Sequence, residues 1–248
     1  MKELCTVRVL LLGLLITCFA WPALGSSVSF EFNTPGVLPS AQGATYGGNV
    51  AETSVFSVSG GLLHQDTTIL PGAFGLYLLP AGTFFDHTLN AELEWSVRLL
   101  SATGSGSAVT TILYDAQSLS GNLWNFGIEP DGVLYSDWTV SRVKIVSMDT
   151  TDALHTYKVV IAAGNPTFDF LVDNVLVFSG VSVGVPSFPA PDDQFAWGDP
   201  TGPIGGSPSA KADWDFVRFT NSPSTIPESS SVVLLLLGLS AGLIKVYR

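Results

Sequence analysis

Between residues 89 and 99 apolar and polar side chains alternate without a break. Leu89, Ala91, Leu93, Trp95, Val97 and Leu99 are set against Asn90, Glu92, Glu94, Ser96 and Arg98. A period of two sustained over that length marks a strand with one buried face. Tyr157, Val159 and Ile161 repeat the signal, and Gly164-Asn165-Pro166 separates them from Phe168, Phe170 and Val172. Asp173-Asn174 then divides that run from 175–178, and Asp131-Gly132 divides 126–128 from 133–135. Short links of this composition between apolar runs predict tight hairpins. Further strands are expected at 55–58, 74–79, 108–114, 195–198 and 214–219, with proline-rich loops at 186–191 and 200–208. Many short strands with turn residues between them predict an all-β sandwich or barrel. Leu93, Val97, Val159 and Phe170 are expected to fill the space between its sheets, with Trp95 and Trp214 beside them.

The pattern breaks at both ends. Lys2 and Arg8 precede an uncharged, mostly apolar run, and Ala23-Leu24-Gly25 follows it. That order is a secretory signal peptide with cleavage expected after Gly25, and the run is shorter than the about 20 residues of a membrane span. Lipidation at Cys18 is the weaker reading, because Thr17 stands before it. Removing residues 1–25 removes both cysteines, Cys5 and Cys18, so the remaining chain has no disulfide or cysteine-metal site. At the other end a polar linker, 221–228, leads into 229–248, an apolar stretch closed by Lys245 and Arg248. As a helix the apolar part is about 20 Å long at 1.5 Å per residue.

The charge balance is −11, and charged residues are only 12% of the chain, against roughly 25% in typical domains. An acidic, weakly charged chain argues against nucleic acid as a partner, since phosphate contacts need clustered Lys and Arg.

Two resemblances sharpen this outline. Pro227, Glu228 and the apolar, basic-ended stretch after them resemble the PEP-CTERM sorting tail, with Ser229 where that family has a second proline. The resemblance implies a protein exported to the cell envelope or beyond. It also implies transient anchoring in the membrane through the C-terminal helix and processing by an exosortase-type enzyme. The second resemblance rests on His155-Thr156-Tyr157 leading into the strand pair around Asp173-Asn174, with 30–32 and 214–219 as paired terminal strands. These features look like the concanavalin A-like, laminin G-like jelly roll. The resemblance implies that residues 26–220 form one two-sheet antiparallel sandwich, flanked by the signal peptide and the C-terminal helix.

The candidate chemistry is thin. Glu92 and Glu94, two apart on one strand face, would lie roughly 6.5–7 Å apart, a spacing glycosidase carboxylates use. In the Glu-x-Asp-x-x-Glu strand of jelly-roll glycosidases they would fill the first two places, but Val97 fills the third. His64, His87 and His155 have no metal-ligand spacing, and no nucleophile elbow or phosphate-binding loop is present. The expectation is therefore a protein that is not an enzyme but binds glycan or polysaccharide on a sheet face or rim. The alternatives are a structural matrix component without a specific ligand and a jelly-roll glycosidase or lyase. Trp124, Tyr135 and Trp138, clustered around the Asp131-Gly132 hairpin, are the candidate sugar-stacking rings. Glu92, Glu94 and Arg98 are the candidate polar contacts, and Asp192, Asp193 and Asp199 are candidate ligands for a rim calcium.

Overall fold

The structure is a computed structural model, and it describes residues 25–80, 88–104, 106–115, 122–136, 142–184, 194–201 and 208–222. The expected signal segment up to residue 24, His87, Trp138, Asp192, Asp193, the loop 186–191 and the sorting residues Pro227, Glu228 and Ser229 lie outside the described residues. The strands in chain order are β1 (Ser26–Glu31), β2 (Thr45–Gly48), β3 (Phe56–Ser59), β4 (Leu62–Asp66), β5 (Gly75–Pro80) and β6 (Asn90–Thr103). They continue as β7 (Thr110–Asp115), β8 (Asn122–Glu129), β9 (Gly132–Ser136), β10 (Arg142–Ser147) and β11 (His155–Ile161). The last five are β12 (Thr167–Val172), β13 (Val175–Val181), β14 (Val183–Gly184), β15 (Gln194–Asp199) and β16 (Ser209–Ser222). Among the described residues no helix is long and apolar enough to cross a membrane.

The strands form two eight-stranded sheets. The first runs β13-β12-β11-β6-β16-β4-β3, with β1 also on β16. The second runs β10-β9-β8-β7-β15-β5-β2, with β14 on β8. Every pairing is antiparallel, and the terminal strands meet as expected, Phe30 opposite Val217. Stacked face to face, the sheets make a jelly-roll sandwich with one aromatic core. Trp95 stacks on Tyr157 at 5.7 Å, Phe126 of the second sheet on Phe170 of the first at 5.0 Å, and Phe195 on Phe219 at 5.8 Å. Leu93, Val97, Val159, Phe170, Trp95 and Trp214 are all buried in this layer. Trp214 brings a polar atom inside, and it is satisfied. Its Nε1 donates to Gln65 Oε1 at 3.1 Å, while Gln65 Nε2 donates to the Ala108 carbonyl at 2.8 Å.

Two local devices set the register. Asp173 and Asn174 hold φ values of 49° and 65°, which lets β12 turn directly into β13. Strand β16 contains a bulge between Trp214 and Phe216. Before it, Ala210, Ala212 and Trp214 face the core; after it, Val217 and Phe219 do. One extra residue thus exchanges which side chains face outward. Asp213 and Arg218, on opposite sides of the bulge, both end up on the outer face of the first sheet.

Candidate functional site

The outer face of the first sheet carries two connected groups of polar side chains, and β6 and β16 position both. In the first group Lys158 Nζ, from β11, lies 3.3 Å from Glu94 Oε1 and 3.5 Å from Glu92 Oε2. Arg218 Nε donates to Glu31 Oε1 at 2.7 Å, and its other arm lies 3.7 Å from Glu94 Oε2. The Arg218 guanidinium also covers the Phe216 ring at 3.9 Å. The ionisation of Lys158 and Glu31 follows the pairing. Partial burial works against the Lys158 charge, but Glu94 and Glu92 outweigh it and raise its pKa. Partial burial likewise opposes the Glu31 carboxylate, but Arg218 and Ser29 outweigh it and lower its pKa. On β6 the place of a third acid is held by Val97, which is fully buried.

The second group was not legible in the sequence. Ser59 ends β3, His64 lies across the hairpin on β4, and Asp213 lies on β16 beside β4. Ser59 Oγ is 2.9 Å from His64 Nε2, and His64 Nδ1 is 2.7 Å from Asp213 Oδ1. Arg98 donates to Asp213 Oδ2 at 2.7 Å. The Asp213 side chain is 6% exposed and that of His64 37%. A hydroxyl, an imidazole and a buried carboxylate in hydrogen-bond sequence are the parts of an activated nucleophile. The chain offers no local spacing for this set, because the pairing of β4 with β16 assembles it from distant segments.

The other expected site residues fall elsewhere. Trp124 is not a surface ring: it faces the interior and is 2% exposed. Tyr135 packs on Phe126 at 5.3 Å and Phe168 at 4.9 Å, and its hydroxyl donates to the Leu123 and Val181 carbonyls. Both point inward because β8 and β9 alternate about a core that needs large rings, so neither is a sugar platform. Asp199 is also corrected as a rim ligand, since it is fully buried. Thr67 donates to its Oδ2 at 2.5 Å, and the Thr201 amide and hydroxyl donate to its Oδ1. Donors therefore already fill the positions a cation would take. Burial pushes this carboxyl up to about 6. Among the described residues no group of three or more His, Cys, Asp or Glu side chains could hold a metal. His155 opens β11 and is clamped by Asp173 at 2.8 Å and Asp152 at 3.0 Å.

The outer face of the second sheet differs in chemistry. Ile112, Tyr114, Leu123 and Ala196 are buried there as a separate apolar cluster, with Leu76 and Leu78 against it.

Solved structures that share this sandwich fold include proteins directed at carbohydrate. No protein-family model and no curated protein sequence matches the chain. The fold is similar to that of a conserved carbohydrate esterase from a Shiga toxin-encoding bacteriophage, at TM-score 0.56 and 10% identity, covering 79% of this chain and 100% of that one. It is similar to an endo-acting O-glycanase of the human gut microbiota, which initiates mucin breakdown, at TM-score 0.52 and 14% identity, covering 78% and 98%. A glycosidic hydrolase matches at TM-score 0.50 and 14% identity, covering 83% and 100%. These likenesses correct the expectation that the chain is not an enzyme. The fold is one that carries hydrolases. The lack of a motif in sequence does not weigh against catalysis when Ser59, His64 and Asp213 meet only in space.

Proposed function

We propose that the protein engages polysaccharide outside the cell, on the outer face of the first sheet. The observation that carries this reading is the row Glu92, Lys158, Glu94, Arg218 and Glu31, set beside the partly exposed Phe216 ring. Sugar hydroxyls both donate and accept, so a face offering alternate carboxylates and cations next to an aromatic ring suits them. The likeness in fold to proteins that act on carbohydrate supports the same reading. In it, residues 1–25 direct export and 229–248 form a short membrane-sorting helix. An exosortase-type enzyme acts near Pro227, Glu228 and Ser229. Bound calcium is not required by the described side chains.

A glycan array probed with the purified protein, with calcium and with a chelator, tests the reading. Retention of one or more polysaccharides is the expected result, with Phe216→Ala weakening it roughly tenfold, the scale of one aromatic contact. No retained glycan, or unchanged retention by a folded Phe216→Ala variant, would remove the site from this face.

A further inference from the structure

We propose that Ser59, His64 and Asp213 form a hydrolytic site for acyl esters, with a polysaccharide as the bearer of the acyl group. The identity of the bearer rests on the reading above; the hydrolytic site does not.

The geometry supplies each role. Asp213 is buried and held from its other side by Arg98 at 2.7 Å, so the oxygen 2.7 Å from His64 Nδ1 is fixed in place. A carboxylate can only accept there, so Nδ1 carries the proton and the Nε2 lone pair is left facing Ser59 Oγ at 2.9 Å. Nε2 also lies 3.2 Å from the Ser59 carbonyl oxygen, which can accept from it once it is protonated. Ser59 is exposed where β3 turns into β4 through Gly60 and Gly61, at φ 59° and 80°. A Cβ on Gly60 would meet nothing within 4 Å, and one on Gly61 would meet only Asn33 Oδ1 at 4.0 Å. The space over the turn is open, and the Gly60 and Gly61 N–H groups are the donors at hand for an oxyanion.

The chemistry balances with water as the only co-reactant. Ser59 Oγ bonds to the acyl carbon while its proton moves to His64 Nε2. The bond from acyl carbon to sugar oxygen breaks, and that oxygen takes the proton from Nε2. Water then attacks the acyl-serine and gives a proton to Nε2, which returns it to Ser59 as the carboxylic acid leaves. An open hairpin suits a small substituent projecting from a long polymer. Arg98 and Glu94 lie four residues apart on β6, about 13 Å at 3.3 Å per residue, so one chain can lie across both groups on the same face.

The test uses the full chain with p-nitrophenyl acetate and acetylated xylan as substrates and phenylmethanesulfonyl fluoride as a covalent probe. The expected result is release of nitrophenolate and acetate, a sulfonyl adduct mapped to Ser59, and a fall to the buffer rate in Ser59→Ala and His64→Gln. Loss of a single triad member costs roughly a thousandfold or more. Ser59 is exposed in a turn, so its truncation leaves the fold intact. Turnover retained in Ser59→Ala, or a folded wild type with neither turnover nor adduct, overturns the proposal. Nitrophenyl ester hydrolysis with acetylated xylan untouched and the glycan array blank would sink the polysaccharide reading and leave the hydrolytic site. Glycan retention with an inert Ser59 would do the reverse.

Discussion

His64 and Asp213, 149 residues apart in the chain, meet at 2.7 Å because β4 pairs with β16 in a register that sets Asp213 opposite His64. Asp213 serves two donors at once, His64 and Arg98, while nearly buried itself. Asp213→Asn removes the charge that both donors face. The partners are over a third exposed, so solvent softens the loss. The expected destabilisation is about 1–3 kcal/mol, read as a lower urea midpoint with unchanged slope. A midpoint equal to wild type would mean the network adds nothing to the fold.

Asp199 should make stability fall as the solution turns from acid to neutral. Its folded pKa of about 6 stands above the ordinary 3.8 because burial disfavours the charge. Below 3.8 both states are protonated and the fold bears no penalty. Between 3.8 and 6 the unfolded chain ionises first, so stability is lost, reaching about 3 kcal/mol above 6 at 1.36 kcal/mol per pH unit. Asn cannot ionise, so the stability of Asp199→Asn relative to wild type should improve steadily across this window. Urea titrations at pH 4, 5, 6 and 7 measure it, and a constant difference between the two proteins would refute the assignment.

His155 is expected to hold its proton above the usual imidazole value. Burial opposes the charge, but the hydrogen bonds that His155 donates to Asp173 and Asp152 outweigh it. The raised folded pKa means that its contribution to stability is complete below about 6.5 and fades as the pH passes the folded value. The His155 ring-proton shift in an NMR titration should show a midpoint above that of a free histidine. Asp173→Asn should bring it down; an unshifted midpoint in both proteins would contradict the clamp.

Gly132→Ala tests the β8–β9 hairpin. Gly132 has a φ of 151°, and a Cβ there would lie 2.0 Å from the Val146 carbonyl oxygen across the β9–β10 pairing. Backbone cannot swing aside as a side chain can, so about 2 kcal/mol or more of stability should be lost. Thermal unfolding decides it: a Tm within a degree of wild type would show that β10 moves freely.

Most of the fold was legible wherever one sheet face is buried and alternation is clean. The β6 pattern from Ala91 to Leu99 and the Asp173-Asn174 turn are such cases, and each appears where expected. Strand β10 was missed because its edge position leaves Arg142, Val143 and Lys144 all exposed, so no alternation exists to be read. Strand β4 was missed for another reason: His64 and Asp66 interrupt a short run whose buried members, Leu63 and Gln65, do not read as one apolar face. The site suffered more. Trp124 and Tyr135 sit near a hairpin in sequence, but composition cannot say which side of a strand meets the core. Ser59, His64 and Asp213 carry no mutual signal until the pairing of β3, β4 and β16 is known.

The bulge between Trp214 and Phe216 makes β16 two half-strands of opposite parity spliced end to end. Hairpin tips absorb a gained or lost residue by changing the size of a loop. The bulge gives β16 the same outlet in mid-strand. Deleting Asp215 removes only the residue that has no partner on β6: Trp214, Phe216 and Val217 then alternate in step with Val97, Ser96 and Trp95, and Ala212, Trp214, Val217 and Phe219 all keep facing the core. Deleting Arg218 instead would turn Phe219 toward solvent. In a library of single-residue deletions, position 215 should therefore stand out within β16 as one that still yields folded protein.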